Sequence, residues 1–145
     1  MRTARSLLPL VTQFPFPEYG VVMNVEIQWK RGERTVAWIN DDQRIVKEFD
    51  DPLRSVAYLD GPPSIVIVES VTSPSAPRNA AVYNLDGTER VRLQPPPRLL
   101  HSAIGFDQVF QSATVVEAVF ATRAGDFHGD PDLVTGEIRN VNEWR

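Results

Sequence analysis

Three stretches, "TVAWINDDQRIVKEF" from residue 35, "AAVYNLDGTERVRLQ" from 80 and "DFHGDPDLVTGEIRNVN" from 126, each lead an aromatic-bearing strand into an acidic turn and out along a second strand. Their recurrence at steps of about 45 residues constrains the fold more than any single motif, since a fixed period means one unit built repeatedly. Such a unit cannot bury its own apolar face and must stack on a neighbour. A second pair, "SVAYLDGPPSIVIVES" from 55 and "SAIGFDQVFQSATVVEAVF" from 102, repeats the order short strand, turn, apolar strand. The unit is therefore about four strands long, and the chain holds about three, the first without a complete leading strand.

Within the units the apolar residues alternate. Val21, Met23, Val25, Ile27 and Trp29 occupy one face of "VVMNVEIQW", while the continuous run Ile65 to Val68 predicts a strand covered on both sides. "GFDQVFQSATVVEAVFA" also admits a helix, because Val109, Ala113, Val116 and Phe120 recur near a 3.6-residue spacing; its β-branched and aromatic content favours strands. Trp29, Trp38, Tyr58, Tyr83 and Phe120 fall on strands as core, whereas Trp144 either clips the last strand or is an exposed contact. The expectation is an all-β fold of antiparallel sheets. Residues 1–18, with Pro15 and Pro17 around Phe16, form an extended N-terminal arm, and residues 19–145 form a single β domain.

"AVYNLDGTERVRL" resembles the hairpin of pyrroloquinoline-quinone-type β-propeller blades, in which an apolar or aromatic pair leads into Asp-Gly and the next strand carries a basic or aromatic residue. The resemblance implies blade-like repeats. Three units fall short of the four or more that close a ring, so a half-barrel or incomplete propeller is expected, with no quinone cofactor or dehydrogenase activity carried over.

Catalytic patterns are thin. Cysteine is absent, which removes thiol nucleophiles, disulfides and thiolate metal sites. His101 and His128 are the only histidines, no serine stands in a Gly-x-Ser-x-Gly context, and the eight glycines lie singly rather than in a phosphate-binding loop. The alternation of Asp126, His128, Asp130 and Asp132 imitates a metal loop. Aligned on its repeat mates it reads as a hairpin tip, with Asp130 before Pro131 opening the turn and Asp132 accepting local N–H bonds; no metal and no cofactor is expected. A net charge of -4 gives no electrostatic case for nucleic acid or an anionic membrane. The apolar run near the N-terminus is short and broken by Pro9, so neither a secretory leader nor a membrane span is predicted, and the cytoplasm is the expected location.

Charge patterning carries the functional expectation. Asp41, Asp42, Glu48, Asp50 and Asp51, against only Arg44 and Lys47, form one acidic group and Asp126, Asp130, Asp132 and Glu137 a second, several of them at hairpin tips, where they suit docking to a basic protein. Small size, β-rich character and an acidic repeat edge resemble bacterial immunity proteins, which neutralise a cognate toxin by occluding its active site. A non-enzymatic protein binder of this kind is expected, with a basic toxin domain as partner and Asp41, Asp42, Asp50, Asp51, Asp130 and Asp132 as contacts. The alternatives are an oligomerising β module and a small-ligand site on a sheet face using Arg90 and Arg92, which point the same way on "ERVRLQ".

Overall fold

The computed structural model describes residues 25–144. The expected arm and the first residues of the strand expected over 21–29 lie outside that range.

The described chain is all-β, with three antiparallel sheets, each built from strands consecutive in sequence and none closed into a barrel. The first contains β1 (Ile27–Gln28), β2 (Thr35–Asn40) and β3 (Gln43–Glu48). The second runs β4 (Ser55–Leu59), β5 (Ser64–Val68), β6 (Ala80–Tyr83) and β7 (Glu89–Arg92). After a 3-10 turn at Pro97–Ser102, which the sequence pattern did not announce, the third comprises β8 (Ala103–Ser112), β9 (Val115–Thr122), β10 (Gly125–Pro131) and β11 (Ile138–Glu143). The stretches from 35, 80 and 126 are the last hairpins of the three sheets, and those from 55 and 102 are the first hairpins of the second and third.

The sheets stack. Val36 and Trp38 of β2 pack with Ile65, Ile67, Ala81 and Tyr83 on one face of the second sheet. Its other face, with Val66, Val68, Ala80 and Val82, packs on Phe106, Val109, Ala118 and Phe120 of the third. This accounts for the unbroken apolar run in β5, every residue of which is buried. Between these layers the buried Asn79 ties the backbones together, accepting from Phe106 N–H at 2.7 Å and donating to the Glu69 and Phe106 carbonyls at 2.7 and 2.9 Å.

The last hairpin of each later sheet leans on the last strand of the sheet before it. A Cβ at Gly87 would lie 2.8 Å from Ile45 Cγ2 on β3, and one at Gly136 would collide with the Arg92 carbonyl on β7. Both glycines have positive φ, so tight approach and backbone conformation select glycine together.

Residues 106–122 form the β8–β9 hairpin, and the helical alternative falls. Its spacing runs across the hairpin: Val109 packs in the core from β8, Ala113 lies in the turn, and Val116 and Phe120 share one face of β9, four positions apart.

Candidate functional site

The six acidic residues singled out from sequence occupy three separate places. Asp41 and Asp42 form the two-residue β2–β3 turn, with φ of 49° and 66°, a conformation that aspartate tolerates better than most residues. Asp50 and Asp51 follow the far end of β3, so the length of that strand separates them from the tip. Asp130 and Asp132 belong to the third sheet.

At "DFHGDPDLVTGE" the structure corrects one detail and explains the alternation. Residues 125–131 are strand, with Pro131 paired to Ile138, and the turn begins only at Asp132. Asp126, His128 and Asp130 alternate because they share one face of β10. Asp130 therefore does not open the turn; it is held by Asn140 Nδ2 at 2.8 Å. Asp132 does the work expected of a turn residue, its carboxylate accepting from Val134 N–H at 2.8 Å and Thr135 N–H at 2.9 Å.

Those hydrogen bonds, from Thr135 and then Val134, hold the Asp132 carboxyl below its ordinary value of 3.8. The depressed value means that its stabilisation is present above the ordinary carboxylate range and is lost as pH falls through the lowered folded value. Asp132→Ala is expected to melt below the parent at neutral pH, with the gap narrowing only under pH 3.8. Thermal melts of both proteins across pH check this; a gap constant with pH would remove the carboxylate charge from the account.

The exposed face of the third sheet brings together what the sequence left scattered. Glu117 from β9 and His128 from β10 meet at 3.1 Å between Oε1 and Nδ1. The Trp144 ring stands edge-on to His128 at 5.0 Å and to Phe110 of β8 at 6.4 Å, while its backbone N–H donates to the Asp126 carbonyl at 2.9 Å. Trp144 thus clips the last strand and still leaves 39% of its surface exposed. Asp126 and Asp130 complete the face. Within β8 to β11 and their turns, the basic side chains are Arg123, at the β9–β10 turn, and Arg139, which pairs with Glu137 at 2.8 Å and Asp132 at 3.4 Å.

Glu117, on a strand expected to be apolar, was not singled out in the sequence; the legible signals were the period-two acids of β10 and an aromatic beside the C-terminus.

Other polar groups are engaged in holding the fold. Arg90 donates to Asn84 Oδ1, Ser64 Oγ, the Pro63 carbonyl and the Leu133 carbonyl, joining loops of two sheets. Arg92 binds Glu69 at 3.0 Å and the Arg78 carbonyl at 3.0 Å. Neither arginine is free to line a ligand site on the sheet face. His128 hydrogen-bonds a glutamate and not a serine, and His101 is exposed in the 3-10 turn. Among the described residues no three His, Asp or Glu side chains gather as metal ligands would, and no helix is long and apolar enough to cross a membrane.

No protein-family model, curated protein or solved structure matches the chain.

Proposed function

We propose that this chain is a non-enzymatic binding protein of the immunity type, which docks on a basic toxin domain in the bacterial cytoplasm and occludes its active site. The observation that supports this reading is the acidic, aromatic face of the third sheet. Glu117, Asp126 and Asp130 share this face with the partly exposed Trp144 and half-buried Phe110. Aromatic anchors ringed by one sign of charge are the composition from which protein interfaces draw affinity and association rate. The hairpin-tip acids are weaker contact candidates, because Asp41, Asp42 and Asp132 each have a local turn to hold.

The architecture in this reading is an open row of three propeller-blade-like units. It is supported by the repeated strand order and by the way Gly87 and Gly136 pack on the preceding sheet.

Co-expression tests the function. The product of the gene immediately upstream, expressed alone in a bacterial host, is expected to kill, and this protein to restore growth and co-purify with it. Reversing Glu117, Asp126 and Asp130 to lysine is expected to abolish rescue and to slow association about tenfold or more, with the parent complex itself associating more slowly in high salt. A neighbour harmless on its own would overturn the immunity reading. Rescue that survives the reversals would keep that reading and remove this face from it.

A further inference from the structure

We infer that the outer face of the first sheet is a self-complementary interface through which two copies of this chain associate. The second sheet is covered on both faces, but the first is covered by it on one face only, and no described strand packs on the other. Two large apolar side chains stand in the open there, Ile39 at 48% and Val46 at 41% exposure.

The register fixes what surrounds them. Ile39 lies beside Arg44, Ala37 beside Val46, and Thr35 beside Glu48, so the outer row of β3 reads cation, apolar, anion as Arg44, Val46, Glu48. Period-two alternation puts all three on one face, since Ile45 between them packs inward against the second sheet. Four strand positions hold Arg44 and Glu48 about 13 Å apart, too far to pair within one chain. Among the described residues neither makes an ion pair, and Arg44 reaches only Gln28 Oε1, at 3.3 Å.

A two-fold axis through Val46 removes that mismatch. It places Arg44 of each copy on Glu48 of the other, Val46 on Val46, and Ile39, which lies beside Arg44, on Thr35, as an isologous contact requires. The third sheet's outer face has no such symmetry. Carrying Glu117, Asp126 and Asp130, it would repel its own copy, so charge sorts the two end faces into one that fits itself and one that fits a basic partner.

Two strands of six residues and a two-residue β1 make a face of at most roughly 14 Å by 20 Å, well below the ~800 Å² per partner of a standard interface. The dimer is therefore expected in the micromolar range, dissociating on dilution. It leaves the third sheet's face free on both copies, and it does not rest on the immunity reading.

Sedimentation of the full chain from low to several hundred micromolar is the test. The parent is expected to move from 16.3 kDa toward twice that mass with concentration. Arg44→Glu and Glu48→Arg are each expected to hold it at the monomer mass, and the double variant R44E/E48R to restore the dimer by re-forming the pair with its signs exchanged. If either single reversal fails to fold, Arg44→Gln and Glu48→Gln take its place, with a weakened dimer expected. A parent monomeric at the highest concentration overturns the inference. So does a dimer untouched by the single variants, one that the double variant does not restore, or one dissolved by Glu117→Lys, which would mean head-to-tail pairing through the third sheet.

Discussion

Replacing Trp38 with alanine is expected to cost about 3–5 kcal/mol of unfolding free energy, a large share of what a domain of this size possesses. Trp38 is fully buried, in the cluster that joins the first sheet to the second, among Val36, Ile65, Ile67 and Tyr83. Its truncation removes the largest side chain there and leaves a cavity between two sheets whose backbones are fixed by their own ladders. The indole Nε1–H donates to the Leu85 carbonyl at 2.8 Å, so the substitution also strands a part-buried acceptor at the tip of the β6–β7 hairpin. The first sheet is poorly equipped to tolerate this. Its β1 is two residues long, and two strands with a fragment of a third are marginal unless docked. Urea unfolding followed by circular dichroism should show the midpoint falling, and amide exchange should show β2 and β3 opening well before β5. Trp38→Phe keeps most of the volume and loses the donor, so its smaller cost would measure the Leu85 bond. An alanine variant within about 1 kcal/mol of the parent would mean that the two sheets are not held by this cluster.

The repeat was legible because it rests on short-range physics. Strand alternation and turn residues are local, and the three hairpins starting near 35, 80 and 126 stand out as one pattern written three times. The continuous apolar run of β5 announced a layer with neighbours on both sides. What stayed hidden required a partner elsewhere in the chain. The near-helical spacing of Val109, Ala113, Val116 and Phe120 runs across the β8–β9 turn, and only the pairing of the two strands breaks it. Pro131 reads as a turn residue, yet it ends β10, where a missing N–H costs little. The candidate face was half legible: Asp126 and Asp130 carry the period of a strand, while Glu117 and Phe110 join them only once β8, β9 and β10 lie side by side. Arg90 and Arg92 do lie two apart on one strand, as read. The sequence could not reveal that each is already spent on loops from elsewhere in the chain.

Arg92→Met is expected to be the second large loss, near the lower end of the ~3–5 kcal/mol that follows breaking a buried pair, because Arg92 keeps 27% of its side chain exposed. Glu69, its partner, is 10% exposed and sits at the exit of β5, where the chain leaves for the loop that returns at Asn79. Ser73 and Ser75 donate hydroxyls to Glu69 Oε1 at 3.1 and 2.8 Å, and Arg92 closes the other oxygen at 3.0 Å. Burial works against the Arg92 charge, but Glu69, with Glu89 and Tyr83, more than offsets it and holds the guanidinium above its ordinary value. Removing the cation alone leaves a carboxylate with two neutral donors in a site that admits little water. It also frees the Arg78 carbonyl, which Arg92 Nη1 reaches at 3.0 Å. The cost comes mainly from the orphaned charge, so it should shrink when the charge goes too. The double variant with Glu69→Leu is expected to recover part of the loss, Ser73 and Ser75 retaining each other at 2.8 Å. Denaturant midpoints for the two single variants and the double variant close the cycle. A double variant as unstable as the sum of the singles would show that Glu69 and Arg92 act independently, and would assign the stability of the loop to the serines and Asn79.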